Sequence, residues 1–147
     1  MTTEVKIKKL CDRAFMPTYG TPYSAGADLY NAESEPITIE AGETRLVHTG
    51  LSFEIPEGFV GLIFARSGLA TKRGLAPANK VGVIDSDYRG EVMVSLFNQS
   101  GKAQTVEYGE RLAQIAIIPF AKADFKLADE LSDTVRGAGG FGSTGTK

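Results

Sequence analysis

An antiparallel β sandwich or barrel with almost no helix is what this sequence predicts, and three observations predict it. Short extended runs recur about every ten residues, and turn residues stand between them: Ile37-Thr38-Ile39, Glu43 to Leu51 and Phe59 to Phe64 are separated by Gly42, Pro56 and Gly58. Only one stretch carries helix start and stop signals. The 147 residues make one domain of ordinary length, long enough to bury roughly 68 to 70% of the surface that its unfolded form exposes. Strands without intervening helices argue against βαβ units.

Taken in order, Val5 to Leu10 alternates apolar and basic residues, as a half-buried strand does. Met16-Pro17-Thr18-Tyr19-Gly20-Thr21-Pro22 interrupts that pattern. Ala25-Gly26-Ala27-Asp28-Leu29-Tyr30 then opens a strand with a carboxylate, either a turn aspartate or a functional one. The helix follows Ala65: Ser67 is placed to cap it, Leu69 to Lys72 complete it, and Gly74 can end it in a left-handed conformation. That terminus is either a plain cap or, with Arg66 and the Ser67 hydroxyl beside free amides, a seat for phosphate.

The stretch Asn79 to Gly90, followed by Glu91 to Phe97, predicts a hairpin: Val, Ile, Met and Phe fill both arms, and Asp, Ser and Gly fill the bend. Gly82 inside an apolar run weakens a strand and marks a place where something approaches the backbone closely. Asp85 and Asp87 either cap the turn or present carboxylates beside the flat ring of Tyr88. Asn98-Gln99-Ser100-Gly101-Lys102 is a turn, and Tyr108 to Ile118 is a second turn running into an apolar strand. Gln114 within that strand is paired across the sheet or aimed at a polar ligand, since burying its amide unpartnered costs about 2 kcal/mol or more.

Past Leu131 the composition changes, and residues 132–147 read as a glycine-rich arm beyond a β domain of residues 1–131. Arg136 to Gly145 holds one large apolar residue, Phe141, among five glycines. It is either a loose tail or a segment that folds over a phosphorylated base, ring stacked and amides cradling oxygens.

Bulk properties exclude several functions. A net charge of −2 with scattered basic residues gives no field for a nucleic-acid polymer. No apolar run has signal-peptide character or approaches the roughly 20 residues that span a bilayer. One cysteine, Cys11, forms no intrachain disulfide and suits a reducing, cytoplasmic setting. With one histidine, His48, the chain has no His/Cys zinc set, so any metal would be a hard cation on oxygen atoms.

Five segments together resemble, in order, the motifs of the trimeric dUTPases: Ala25 to Leu29, Arg66 to Ala70, Gly82 to Gly90, Gly109 to Gln114, and Arg136 to Gly145. The resemblance implies a jelly-roll-like β fold, a homotrimer with three shared sites, and Mg²⁺-dependent hydrolysis of dUTP to dUMP and pyrophosphate. It implies Asp85 as the general base. It assigns the uracil and sugar to Asn79, Gly82, Val83, Ile84 and Tyr88, and the phosphates to Arg66, Ser67, Gly68 and Gln114. Asp28 would hold Mg²⁺ through water. Arg136, Phe141, Gly142, Ser143 and Thr144 would close over a neighbour's site. The nearest alternative is a dCTP deaminase-like relative, and a different class is a non-catalytic jelly-roll assembly module that needs none of Asp85, Tyr88 and Arg136.

Overall fold

The structure, a computed structural model, describes residues 3–141 and residue 143. Its elements are β1 (Lys6–Lys9), β2 (Thr18–Tyr19), β3 (Ala27–Tyr30), β4 (Ile37–Ile39), β5 (Thr44–Glu54), β6 (Phe59–Ala65), α1 (Ser67–Arg73), β7 (Leu75–Pro77), β8 (Gly82–Ile84), β9 (Glu91–Asn98), β10 (Gln104–Val106) and β11 (Arg111–Pro119). The expected all-β architecture with one short helix is what forms. A four-stranded sheet has the order β1-β5-β9-β7, a five-stranded sheet the order β2-β3-β11-β6-β8, and β10 pairs with β4. Every pairing is antiparallel.

The two large sheets share one core. Leu29, Ile63, Ala113 and Ile115 of the five-stranded sheet join Leu51, Phe53, Val92, Val94 and Leu96 of the four-stranded sheet in a single buried cluster. Strand β9 shows how the pattern encodes this: Val92, Val94, Leu96 and Asn98 are buried, while Glu91, Met93, Ser95 and Phe97 are only partly so, the alternation of a strand with one face on the core. Asn98 is the polar member. Its Nδ2 donates to the carbonyls of Ile39 (2.9 Å) and Lys102 (2.8 Å), and its Oδ1 accepts from the Ser100 amide (2.9 Å). The expected turn at residues 98–102 is thus tied to the core by its first residue, and burial leaves no unmet polar atom.

The expected hairpin does not form. Strand β8 pairs with β6, with Gly82 opposite Ile63 and Ile84 opposite Gly61. Both edges of β9 are already taken by β5 and β7, so β8 has no edge to join there. Residues 85–90 therefore form a crossover from one sheet to the other. The helix makes a similar crossing, between β6 and β7. Ser67 is also not the cap: α1 begins at Ser67, the cap position falls on extended Arg66 (φ −86°, ψ 126°), and no side chain caps it. Gly74 closes the helix as expected, at φ 67°.

The strands end at Pro119. From Phe120 to Ala138 every residue is exposed, including Phe125, Leu127, Leu131 and Val135. Among the described residues, no helix is long and apolar enough to cross a membrane.

Candidate active site

The sheet-to-sheet crossover after β8 borders a cavity of about 280 Å³. Six of the expected site residues line it: Asn79, Gly82, Val83, Ile84, Asp85 and Tyr88. Gly82 is buried, and a Cβ there would stand 3.2 Å from Ile63 Cβ and 3.5 Å from Asn79 Nδ2. The glycine therefore lets β8 lie close to β6 with bare backbone on the cavity side. Asp85 is exposed at the rim, and its carbonyl accepts from the Tyr88 amide at 3.2 Å. The tyrosine hydroxyl donates to the Glu91 carbonyl at 2.9 Å.

A second pocket, of about 620 Å³, collects Asp28, Arg66, Ser67, Gly68 and Gln114, with Arg111. Asp28 is buried, and its Oδ1 accepts from Arg66 Nε at 2.8 Å, while Oδ2 faces Arg111 Nε at 3.4 Å. One carboxylate thus aims two guanidinium groups into the pocket. Gln114 stands opposite Asp28 in the sheet, and its Nε2 donates to the Ala65 carbonyl at 3.0 Å. Its Oε1 lies over Gly26, where a Cβ would come within 2.7 Å. The amide is therefore paired across the sheet and also lines the pocket.

Arg111 is the residue that sequence reasoning left without a role. In a regular strand, positions 111 and 114 point to opposite faces because the side-chain period is two. The register of β11 against β3 shifts between Arg111 and Ala113, and such a bulge re-aims the side chain beside it. The motif Gly109 to Gln114 contains the arginine, but no sequence signal reveals the bulge.

The two clusters do not meet within one chain. Asp85 lies one step beyond the Ile84–Gly61 pair, toward the start of β6, whereas Arg66 follows its last residue. At about 3.3 Å per residue, that places the carboxylate and the guanidinium roughly 20 Å apart along the sheet. Among the described residues, none of the arm lines either pocket. Arg136 Nε donates to the Gly139 carbonyl at 2.9 Å, and Phe141 and Ser143 are exposed. Gly142 and Thr144 lie outside the described residues.

Beside the first cavity, Glu91 fastens β9 to β5. Its Oε1 accepts from the Gly50 amide at 2.8 Å, and its Oε2 pairs with His48 Nδ1 at 2.8 Å. The hydrogen bond to Glu91 raises the His48 pKa above its ordinary 6.5, against partial burial and with help from Glu33. A raised folded-state value means that this pair stabilises fully below pH 6.5 and that the contribution is lost as pH rises through the folded value. Since His48 is the chain's one histidine, we expect the thermal midpoint to decline over that interval and the decline to vanish in His48→Gln. A His48→Gln profile that keeps the same step would refute this assignment.

Among the described residues, no group of three or more His, Cys, Asp and Glu side chains could cage a metal ion. Comparison with known proteins identifies the family. The dUTPase family model matches residues 12–145. The deoxyuridine 5'-triphosphate nucleotidohydrolase of Hahella chejuensis is 45% identical over 148 residues, covering 100% of this chain and 97% of that protein. The enzyme of the same name from Desulfitobacterium hafniense is 51% identical over 131 residues, 88% of this chain and 87% of that one. Among solved structures, the dUTPase of Staphylococcus bacteriophage 80alpha with dUPNHPP superposes with a TM-score of 0.91 at 29% identity, over 99% of this chain and 100% of that chain. By motif order, by fold and by identity along nearly its whole length, the chain belongs to the dUTPase family.

Proposed function

We propose that the protein hydrolyses dUTP to dUMP and pyrophosphate, at sites shared between the subunits of a homotrimer. Family membership supports the reaction, and relatives at 45% and 51% identity are named deoxyuridine 5'-triphosphate nucleotidohydrolases. The observation that carries the shared site is the register of β8 on β6, which sets Asp85 and Arg66 at opposite ends of one strand. A dUTP molecule that needs both must draw them from two chains, and a closed three-fold ring satisfies that for every copy.

In this reading the backbone of Gly82, Val83 and Ile84, which line the cavity, pairs with the pyrimidine edge, and Asn79 orients the base. Cytosine reverses part of that donor and acceptor order, and a mismatch of polar groups in a closed site discriminates strongly. Tyr88 lies against the deoxyribose and leaves no room for a 2′-hydroxyl. The Asp85 carboxylate takes a proton from water as the water oxygen bonds to the α-phosphorus. The bond from that phosphorus to the bridging oxygen breaks, and pyrophosphate leaves.

Arg66, Ser67, Gly68 and Gln114 of a neighbouring chain hold the phosphates. Asp28 keeps Arg66 aimed, and its carboxylate, with room for about four acceptor contacts, has capacity left for water ligands of a cation. The residues fit Mg²⁺ held by phosphate oxygens and water rather than by a protein cage, which is how that ion is usually bound. When bound, it would offset phosphate charge that this acidic chain meets with few cations. A solved phage phi11 dUTPase, matching at 25% identity and a TM-score of 0.79, is described with a structural Mg(II) ion. Arg136 would fork onto the γ-phosphate, where lysine substitutes poorly. Phe141 would stack on uracil, with Gly142, Ser143 and Thr144 sealing the polyphosphate.

The test is a substrate panel of dUTP, dTTP, dCTP and UTP with Mg²⁺, reading pyrophosphate and ammonia together. Pyrophosphate from dUTP far above the other three, without ammonia from dCTP, is expected. Ammonia release from dCTP would move the protein to the deaminase-like reading, and inertness toward all four would leave an assembly module.

A further inference from the structure

Gly90 has no side chain, and the reason is the ring two residues before it. A Cβ built on Gly90 would overlap Tyr88 Oη and stand 2.6 Å from Cζ and 2.9 Å from Cε2. Real Cβ atoms do not approach that closely in a packed protein, so either the backbone or the ring would have to move. The glycine's φ lies outside the left-handed region, so its freedom of conformation is not what the position needs. Space is.

The backbone there is fastened on both sides. The Ser52 hydroxyl donates to the Arg89 carbonyl at 2.6 Å, and Ser52 stands opposite Glu91 in the sheet. Glu91 is pinned by its own carboxylate to the Gly50 amide and to His48 Nδ1, both at 2.8 Å. Its carbonyl also receives the tyrosine hydroxyl. The Tyr88 ring is less confined, with its residue 42% exposed.

From these contacts we infer that Gly90 and the carbonyl of Glu91 form a seat that fixes the pose of Tyr88, making Gly90 a positioning residue for the choice of deoxyribose over ribose. The inference rests on Tyr88 being the group that meets the sugar. A methyl group at position 90 meets a fixed main chain and a movable ring, so the ring leaves its seat. The Tyr88 hydroxyl then loses the Glu91 carbonyl, and the wall that excludes a 2′-hydroxyl is displaced.

The experiment compares kcat/KM for dUTP and UTP in Gly90→Ala, Tyr88→Ala and the double variant. We expect Tyr88→Ala and Gly90→Ala each to narrow the dUTP-to-UTP ratio by about ten- to a hundredfold, the range that one misfitted group costs in a shaped pocket. The double variant should be no worse than Tyr88→Ala, because two changes that act through one ring are not additive. A Gly90→Ala ratio equal to that of the parent, beside a narrowed Tyr88→Ala ratio, overturns the seat alone. An unchanged ratio in Tyr88→Ala overturns the role of the tyrosine and the seat with it. If Gly90→Ala fails to fold, folding of the double variant identifies the ring as the obstacle and supports the seat. Failure of both assigns the glycine to the backbone and refutes it.

Discussion

Asp85→Asn should lower kcat for dUTP by about 10²- to 10⁴-fold, the usual worth of a positioned general base, and leave binding of dUPNHPP nearly intact. The amide keeps the size of the carboxylate and can still accept a hydrogen bond from the sugar, but it takes no proton from water. Asp85 is exposed at the cavity rim, so the change leaves the core untouched, and the thermal midpoint should hold. Near-parental kcat would reject the role. The same variant tests the sharing of sites. Arg66→Ala removes the guanidinium that follows the far end of β6, and each variant alone should be nearly inactive. Mixed oligomers of the two should recover part of the lost rate, because some sites pair an intact Asp85 with an intact Arg66. If mixing recovers nothing while the chains demonstrably exchange, the two residues serve a site within one chain, and the roughly 20 Å separation along the strand must close in some other way.

Ending the chain at Val135 should cost about ten- to a hundredfold or more in kcat/KM for dUTP and nothing in assembly. The loss takes away Arg136, with its forked fit to phosphate, and Phe141, whose stacking on a base is worth about 1 to 3 kcal/mol by analogy with other aromatic platforms. In the structure, Arg136 and Phe141 are both exposed, the arginine bonds within the arm to the Gly139 carbonyl, and the last strand ends at Pro119. Fold and oligomer size should therefore survive, as light scattering and a thermal scan would record. Full turnover by the shortened chain would remove the arm from the catalytic account. Phe141→Ala alone should reproduce a part of the loss, mostly as a raised KM.

What the sequence made legible, and what it hid, divides along physical lines. The apolar strand after Tyr108, the turn at Asn98 and the left-handed Gly74 are written in short-range pattern, and each appears where that pattern puts it. The pairing of β8 was not legible, because apolar arms around an Asp-Ser-Gly bend describe a hairpin and a sheet crossover equally well. The choice depends on β9 having both edges filled by strands remote in sequence. Ser67 carried a cap signal, yet the cap position falls on extended Arg66, which sets the helix start one residue earlier than the signal implied. Most of the candidate site residues were legible through five motifs, whereas Arg111 needed a bulge that leaves no mark on composition. The division of the site into two clusters was also hidden, since motifs in one chain carry no record of distance.

Strand β6 gives that distance its meaning. If one end of the strand serves a base-reading crossover and the other a phosphate pocket belonging to a different site, its seven residues act as a gauge block setting the phase between neighbouring reaction centres. Lengthening a surface loop would disturb one centre's surroundings. Sliding β8 by a single register step on this strand would reverse which faces the crossover residues present and put all the centres out of alignment together.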